Sequence, residues 1–460
     1  MAVSEAAAGG LFLPATKGLR GVLRVPGDKS VSHRAILLGA VNDGPVEVSG
    51  FLRSADTMAT VAAARALGVQ VEERGSAGTD LVVHGAGWAG LREPEDVVDV
   101  ANSGTLMRLL PGLVASRDFL CVLTGDASIR RRPMGRILEP LAAMGAIVVG
   151  RTGNTLPPIA IRGGVLRAAE HRLKVASAQV KSCLILAGLR AEGQTTIWEP
   201  APSRDHTERM IAYAGARVER EGTPDGPGVI KVRPVEALAM GPIAVPADFS
   251  SAAFFLVAAS LIPDSEVTVS GVGLNPSRTG LLRVLARMGA QMQIEPADMM
   301  GPEPVGDVTA RSCDLVATDV DADEVPSLID ELPLFLLAAA RSRGVSHLRG
   351  AAELRAKESD RLHAMAVLLQ ALGVSVVEHP DGMDVTGDPA GWSGGAVKAE
   401  RDHRLAMVGA IAGAASRSGV YVDDVDCVDV SYPGFVESLT SLGGEWSPEQ
   451  PKNDPAGDPR

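Results

Sequence analysis

The sequence predicts an α/β protein of two similar domains, each built from three repeated βαβαββ-type units with buried helices. Three observations lead to this fold class. The 460 residues exceed what one hydrophobic core usually supports, so two domains are expected. A helix end that passes through a glycine into a short strand recurs six times, about every 75 residues. An apolar helix opened by polar residues recurs with a similar period.

The recurring glycines predict where one helix of each unit ends. A glycine directly after a helix reverses the chain at little steric cost, and in each copy a short strand is expected to follow it. The six glycines are Gly68, Gly145, Gly215, Gly289, Gly373 and Gly443. We therefore expect six helix-to-strand turns of the same kind.

The second recurring element predicts six helices in the protein interior. Each has polar or charged residues in its first turn and is apolar on nearly all sides afterwards, which is typical of a helix inside a domain. These helices open at Lys29, Asn102, Ser177, Asp248, Asp330 and Asp402. Three of them per domain can pack near a pseudo-threefold axis, with sheets and outer helices around them. If the domains face each other, the polar openings line one cleft.

The chain is expected to divide between the third and the fourth unit. We predict that 27–246 forms one domain, with units one to three. Residues 1–26 together with 247–446 then form the other, discontinuous domain, with units four to six. Residues 447–460 are rich in proline and charge and are expected to be a disordered tail.

Composition argues against several classes of partner. A net charge of −12 and an aromatic content of 3% speak against nucleic acid, whose binding needs positive surface and stacking side chains. No apolar run approaches the length of a membrane span. The cysteines at 121, 183, 313 and 427 lack metal-ligand spacing, as do the histidines. We expect reduced thiols, no metal, and a cytoplasmic protein that contacts neither membrane nor nucleic acid.

The first buried helix carries the most specific signal. In the segment Val25–Ala35, VPGDKSVSHRA, a Pro-Gly turn precedes Lys29, Ser30 and Arg34. Backbone N–H groups already make a helix N-terminus positive, and ordinary helices place Asp or Glu there. Cations at this position are explained by a bound anion.

Other charged residues stand at or near the remaining helix openings. Solvated surface charge is the alternative for each cation. For Asp330 and Asp402 the alternative is N-capping, worth about 1 kcal/mol each, and for Glu358 it is a simple ion pair. The cationic candidates are Lys29, Arg34, Arg108, Arg130, Arg131, Arg132, Lys181, Arg204, Lys357, Arg361 and Arg404, and the acidic candidates are Asp330, Glu331, Glu358, Asp360 and Asp402.

Nucleotide-binding motifs are missing from the sequence. It has neither GxxxxGK[ST] nor a GxGxxG after its first strand. Several anion sites with one or two carboxylates therefore indicate phosphorylated or carboxylated small molecules, handled without nucleotide, metal or organic cofactor.

Eight motifs in a fixed order point to a known family. They are PGDKSVSHRA, NSGTLMRLL, GDASIRRRPMGRI, SAQVKSCLILAGL, SRDHTERM, IDELPLF, LRAKESDRL and DHRLAM. From about Leu13 to Trp446 the chain resembles the EPSP synthases (5-enolpyruvylshikimate-3-phosphate synthases). The resemblance implies the enolpyruvyl transferase fold, an inside-out α/β barrel. It also implies transfer of the carboxyvinyl group of phosphoenolpyruvate to the 5-hydroxyl of shikimate 3-phosphate, in chorismate and aromatic amino acid biosynthesis. These two substrates are the expected partners of a monomer without cofactor.

The resemblance also assigns substrate contacts by motif position. For shikimate 3-phosphate these are Lys29, Ser30, Arg34, Ser177, Ala178, Gln179, Arg204, Asp330 and Lys357. For phosphoenolpyruvate they are Lys29, Gly104, Arg132, Gln179, Arg361 and Arg404.

The implied chemistry is addition followed by elimination, which needs a base and an acid. Asp330 is expected to take the proton of the 5-hydroxyl. Glu358 is expected to supply and recover a proton at C3 of phosphoenolpyruvate, and Lys29 to assist the departing phosphate. The division between Asp330 and Glu358 is a hypothesis.

The chain departs from the family pattern at a few positions. Val430 stands where many members have a lysine that contacts phosphoenolpyruvate, so that contact is not carried over. Ala178 and the SRDHTE segment resemble the branch noted for lower sensitivity to glyphosate, and Leu109 replaces a proline common in the sensitive branch. Gly104, by contrast, lacks the methyl group that crowds the inhibitor in some tolerant members. Glyphosate sensitivity is therefore left open.

Other functions stay open at this stage. The acceptor could be UDP-N-acetylglucosamine, as in a sister enzyme on the same fold, or a shikimate analogue. The sister enzyme usually carries a cysteine on a mobile loop, whereas Cys121 is predicted in a buried strand. A non-catalytic descendant of the fold is a further alternative, which only Val430 supports. Against it argues the presence of all five expected residues, Lys29, Asp330, Glu358, Arg361 and Arg404.

Overall fold

The computed structural model describes residues 9–222 and 226–448, and these residues form two hydrophobic cores. One core draws on buried side chains between Val31 and Val245. The other draws on Leu11–Val25 and Ala247–Leu442. We call the corresponding parts the first lobe and the second lobe. The predicted fold class, an α/β protein of two similar parts, is confirmed.

Short helices and strands alternate throughout both lobes. The helices are α1 (Lys29–Ala40), α2 (Ala55–Ala66), α3 (Gly87–Gly90), α4 (Gly104–Val114), α5 (Gly135–Ala143), α6 (Arg151–Asn154), α7 (Ala178–Gly188), α8 (His206–Tyr213), α9 (Phe249–Leu261), α10 (Gly280–Arg287), α11 (Val325–Leu328), α12 (Leu332–Ala340), α13 (Arg361–Ala371), α14 (His403–Ala414) and α15 (Phe435–Ser441). The strands are β1 (Leu11–Leu13), β2 (Arg20–Leu23), β3 (Asp43–Ser49), β4 (Gln70–Arg74), β5 (Asp80–Ala86), β6 (Val98–Asp99), β7 (Leu120–Thr124), β8 (Ile147–Gly150), β9 (Leu156–Arg162), β10 (Leu166–Arg167), β11 (Glu170–Arg172), β12 (Ala191–Glu192), β13 (Thr195–Glu199), β14 (Val218–Gly222), β15 (Gly228–Val232), β16 (Ile243–Ala244), β17 (Glu266–Gly273), β18 (Gln291–Ala297), β19 (Val305–Arg311), β20 (Gly344–Leu348), β21 (Ser375–His379), β22 (Gly382–Gly387), β23 (Gly395–Val397) and β24 (Val420–Val422).

The sheets repeat one pattern around the outside of each lobe. Four of them, with strand orders β16-β3-β5-β4, β6-β7-β9-β8, β11-β13-β15-β14 and β2-β17-β19-β18, have four strands each. In each of these, one pair of strands is parallel and the other two pairs are antiparallel. The sheets β20-β22-β21 and β1-β24-β23 are three-stranded. Because β1 and β2 belong to sheets of the second lobe, that lobe contains both ends of the described chain.

Six helices fill the interior, as the sequence predicts. In the second lobe α9, α12 and α14 pack against each other, and in the first lobe α4 packs against both α1 and α7. Every residue of α9, α12 and α14 is buried. Because these helices carry apolar side chains on all faces, they are buried in the lobe interior, and the sheets lie outside them.

The six recurring glycines take the conformation expected of them. Each follows an outer helix, and their φ angles are 84°, 108°, 86°, 86°, 84° and 102° in chain order. This left-handed region favours glycine, because a Cβ atom would clash with the backbone there. The predicted helix-to-strand turn is confirmed at the first five glycines, and it is wrong at Gly443, after which no strand follows among the described residues.

The chain crosses between the lobes at two adjacent segments. The N–H of Asp28 donates to the carbonyl of Pro246 at 2.7 Å, and the N–H of Asp248 donates to that of Pro26 at 2.9 Å. This arrangement supports the predicted domain boundaries, which stay a prediction. Ser447, placed in the predicted tail, exchanges two backbone hydrogen bonds with Phe12, and the part of that tail after residue 448 lies outside the described residues. None of the described helices is long and apolar enough to cross a membrane.

Gly112 marks the closest approach of two interior helices and gives a test of the core. A Cβ atom at this position of α4 would lie 2.1 Å from the carbonyl oxygen of Cys183 in α7. We predict that Gly112→Ala lowers the free energy of unfolding by about 2 kcal/mol or more, because two packed backbones must separate. Urea unfolding measures the change. The control is Gly164→Ala, whose Cβ would meet nothing within 4 Å; equal stability of the two variants would contradict the packing described.

Candidate active site

The polar openings of the interior helices meet between the lobes. Asp28 caps α1 by accepting a hydrogen bond from Val31, and Asp248 caps α9 by accepting one from Ser251. The second carboxylate oxygen of Asp248 also accepts the backbone N–H of Lys29, at 3.1 Å. The starts of two helices from different lobes therefore lie side by side.

Asp330 lies at the centre of a group of cations, which we call the cation cluster. Its carboxylate pairs with Arg204 of the first lobe. Nitrogen atoms of four more side chains lie 3.8 or 3.9 Å from it, and these are Lys357, Arg361, Arg278 and Arg404. Burial raises the pKa of the Asp330 carboxyl, but the cations, Arg204 foremost, hold that pKa well below its usual range. Asp330 is therefore ionised.

The N-capping interpretation is wrong for Asp330 and right for Asp402. Helix α12 begins at Leu332 with Glu331 in the N-cap position and without a side-chain cap. The Asp330 carboxylate is held by the cations instead. Asp402 accepts the N–H of Arg404 at 3.0 Å and thereby caps α14, and it also receives two hydrogen bonds from the buried guanidinium of Arg361.

Glu358 forms a second ionic link between the lobes. Its carboxylate lies 2.7 Å from Nη2 of Arg361 and 3.4 Å from Nη2 of Arg132, which belongs to the first lobe. Burial raises the pKa of this carboxyl, but Arg361 and then Arg132 hold it well below its usual range. Glu358 is thus within an ion pair, as the alternative interpretation expected, and it also faces the cation cluster.

Lys29 is held by a carboxylate that the sequence analysis missed. Its Nζ lies 3.0 Å from Oδ2 of Asp56 in the outer helix α2. The other carboxylate oxygen of Asp56 is buried and has no hydrogen-bond partner among the described residues. His403, at the start of α14, is close enough for Lys29 to act on its pKa, which burial in the first place lowers to about 3. A neutral histidine and a paired lysine therefore share this side of the site.

Arg34 is buried in α1 and holds three elements together. Its guanidinium donates to Ser182 at 2.8 Å, to Thr207 at 2.7 Å and to the carbonyl of Ser30 at 3.0 Å. Burial lowers its pKa to about 10, so it stays cationic at neutral pH. None of these described partners is a carboxylate, which leaves its charge to be balanced at longer range.

Gly104 opens α4 between two arginines. A Cβ atom there would lie 2.8 Å from Nη1 of Arg132 and 3.0 Å from Nη1 of Arg108. Arg108 donates to the side-chain oxygen of Gln179 at 2.8 Å, and Gln179 donates to Thr105 at 3.1 Å. The absence of a side chain at Gly104 gives both guanidinium groups room at the helix start.

Two residues position Arg404, and one of them, Ser250, was not singled out by any motif. Arg404 donates to the carbonyl of Asp330 at 3.0 Å and to Ser250 at 3.1 Å. Ser250 also contacts Glu331 and Arg278, and Nη1 of Arg278 lies 3.0 Å from both oxygens of Glu331. Arg278 does not stand at any of the predicted helix openings. The only signal for it in the sequence was an arginine within a segment of mostly polar residues.

The remaining predicted residues lie at the edges of this arrangement. Ser177 caps α7 through a long hydrogen bond of 3.5 Å, and Ala178 is the first residue of that helix. Arg130 and Arg131 are exposed, as expected of part of that triplet. Lys181 is buried in a separate group of acidic residues. Val430 ends a short helical turn and is partly buried.

The described residues contain no group of three or more His, Cys, Asp or Glu side chains arranged to hold a metal ion. The site is instead an array of guanidinium, ammonium and amide donors with two carboxylates facing it. Such donors suit small molecules that carry phosphate and carboxylate groups.

Comparison with known proteins agrees with this chemistry. The family model described as EPSP synthase (3-phosphoshikimate 1-carboxyvinyltransferase) matches residues 14–439. The 3-phosphoshikimate 1-carboxyvinyltransferase of Pelobacter propionicus is 48% identical over 92% of this chain and 96% of its own. That of Desulforudis audaxviator is 46% identical over 94% and 99%.

Solved structures show the same fold. An EPSP synthase from Acinetobacter baumannii superposes with a TM-score of 0.85 and 40% identity, over 96% of this chain and all of that one. The enolpyruvyl transferase NikO from Streptomyces tendae gives a TM-score of 0.77 over 96% and 99%, at 19% identity, and shows likeness of fold alone. Because the family model matches most of its length and the similar relatives carry the same name, the chain belongs to the EPSP synthase (3-phosphoshikimate 1-carboxyvinyltransferase) family.

Proposed function

We propose that this enzyme transfers the enolpyruvyl group of phosphoenolpyruvate to the 5-hydroxyl of shikimate 3-phosphate and releases phosphate. The observation that carries the proposal is an ionised carboxylate, Asp330, within a cluster of cations drawn from both lobes. Each of the two substrates carries one phosphate and one carboxylate, so the pair needs several cationic partners that act together.

The substrate contacts implied by the motifs fit this arrangement. Arg34, Arg204 and Lys357 are proposed to hold shikimate 3-phosphate together with Lys29, Ser30, Ser177, Ala178, Gln179 and Asp330. Arg132, Arg361 and Arg404 are proposed to hold phosphoenolpyruvate together with Lys29, Gly104 and Gln179. Support comes from the helix starts, because backbone N–H groups at the openings of α1, α4, α7 and α14 add to the attraction for these anions.

Asp330 is the proposed base for the acceptor hydroxyl. The cations around it hold its pKa well below the usual range, which makes it a weak base. Substrate phosphate and carboxylate neutralise part of that positive charge when they bind, so the pKa rises toward the value that a base needs.

Glu358 and Lys29 are proposed for the other two steps. Glu358 first takes up a proton, which bound substrate anions favour by offsetting the charge of Arg361 and Arg132. It delivers this proton to C3 during addition and removes one during elimination, and the paired guanidinium of Arg361 stabilises the carboxylate between the two steps. Lys29, oriented by Asp56 at 3.0 Å, compensates the charge of the departing phosphate. We further propose a cytoplasmic monomer that uses no metal or cofactor and contacts neither nucleic acid nor membrane.

The acceptor is tested by measuring phosphate release from phosphoenolpyruvate. We predict release that depends on shikimate 3-phosphate, because a small phosphorylated acceptor matches the cation cluster. UDP-N-acetylglucosamine and unphosphorylated shikimate should give less than about one hundredth of that rate, since the first lacks the carboxylate and the compact size of the acceptor and the second lacks its phosphate. Preference for either of them would replace the proposed acceptor, and no release with any acceptor would favour a non-catalytic descendant of the fold.

Asp330→Asn tests the proposed base. We predict that kcat falls by about 10²- to 10⁴-fold, the usual contribution of a general base. The amide keeps the size of the side chain, so binding of shikimate 3-phosphate should persist in calorimetry. The matched control is Asp118→Asn, at an exposed aspartate paired with Arg162, which should leave kcat unchanged. Near wild-type turnover by Asp330→Asn would exclude Asp330 as the base.

Gly104→Ala tests the placement of phosphoenolpyruvate. A methyl group at this position must displace Arg132 and Arg108, so we predict a KM for phosphoenolpyruvate raised about tenfold, with the KM for shikimate 3-phosphate within about twofold. Glyphosate inhibition curves of both forms establish the sensitivity that the sequence leaves open. An unchanged KM for phosphoenolpyruvate would place that substrate elsewhere.

A further inference from the structure

A second group of charged residues lies inside the first lobe, behind the cation cluster. Lys181 of α7 is completely buried, and its Nζ lies 3.2 Å from Glu199 and 2.8 Å from Glu208. Glu199 is also completely buried and pairs with Arg220 at 2.9 Å. We call these four residues the Lys181 cluster. Two cations and two carboxylates balance its charge, which a buried ionic group requires.

The Lys181 cluster grips one residue of an irregular segment. Nζ of Lys181 donates to the carbonyl of Ser203 at 3.0 Å, and the hydroxyl of Ser203 donates to Glu199. Residues 202–205 lie between β13 and α8 and have no helical or strand structure. Their backbone is therefore fixed by side chains rather than by a sheet or helix.

Arg204 is the next residue along the chain, and its guanidinium reaches across to Asp330. On its other side Asp205 accepts from Asn275 at 2.7 Å and from Ser277 at 3.1 Å, both in the second lobe. The Lys181 cluster thus attaches this segment, which contains Arg204, to the first lobe. A buried ion pair adds little net stability compared with apolar residues of equal volume, so packing alone does not explain a lysine at this position.

We propose that Lys181 is a positioning residue for Arg204, and that through Ser203 it sets the affinity of the enzyme for its phosphorylated acceptor. This inference rests on the proposed function, in which Arg204 binds shikimate 3-phosphate. Lys181 is completely buried behind Arg204, so its effect on the substrates passes through that residue.

The test is Lys181→Met, which keeps most of the side-chain volume and removes the ammonium group. We expect the KM and the calorimetric Kd for shikimate 3-phosphate to rise about tenfold, while kcat and the KM for phosphoenolpyruvate stay within about threefold. The matched control is Lys231→Met, which breaks a Lys–Glu pair on the outer sheet of the same lobe and should change none of these values. An unchanged acceptor Kd in Lys181→Met would overturn the proposal.

A double-mutant cycle with Arg204→Gln separates positioning from general damage. If Lys181 acts through Arg204, the double variant should bind the acceptor no more weakly than Arg204→Gln alone. Multiplied effects would overturn the proposal and indicate an independent structural role. If Lys181→Met does not fold, the charge-balanced variant Lys181→Met/Glu208→Gln takes its place in the same cycle.

The controls also distinguish this inference from the proposed function. A normal acceptor Kd in Arg204→Gln would overturn the positioning role while leaving the reaction in place. Absence of turnover by the unmodified enzyme would contradict the proposed function, and the acceptor Kd values would still decide the role of Lys181.

Discussion

The ionic contacts around Asp330 are the constraint on which the rest of the structure depends. Two like charges 4 Å apart repel by about 4 kcal/mol at the effective dielectric constant near a protein surface. Five cations around a single carboxylate would therefore drive one another apart. They stay together because further carboxylates, Glu331, Glu358 and Asp402, lie between them. The cations are gathered here in a chain whose net charge is −12.

The architecture follows from the need to gather these groups. A helix can present polar groups at its start and remain apolar along its length, so an interior helix can deliver a charge to a cleft without burying it in the core. Three such helices per lobe place their openings on one side. Because Arg204 and Arg132 of the first lobe pair with Asp330 and Glu358 of the second, the site is complete only when the lobes are together.

Periodic features were predictable from the sequence because a local rule produces each of them. The six glycines adopt positive φ, and the interior helices begin within two residues of their predicted openings. The family motifs led to the side chains that meet in the cleft, since eight motifs in order leave little room for coincidence.

Residues that act through long-range contacts were not predictable. Asp56 and Arg278 each belong to an outer segment without a motif of chemical meaning, and only the folded chain brings them to Lys29 and to Glu331. The same reason explains why the N-capping alternative is wrong for Asp330. N-capping depends on local sequence, whereas the cations that hold this carboxylate come from four separate segments.

The low pKa of Asp330 bears on the order of events in the proposed reaction. A carboxylate whose pKa is held down by neighbouring cations is a weak base toward the proton of a hydroxyl group. Each arriving phosphate or carboxylate removes part of the positive potential and strengthens the base. In the proposed reaction, the cations assigned to substrate binding therefore also delay proton transfer until both substrates are in place, which protects phosphoenolpyruvate from attack by water.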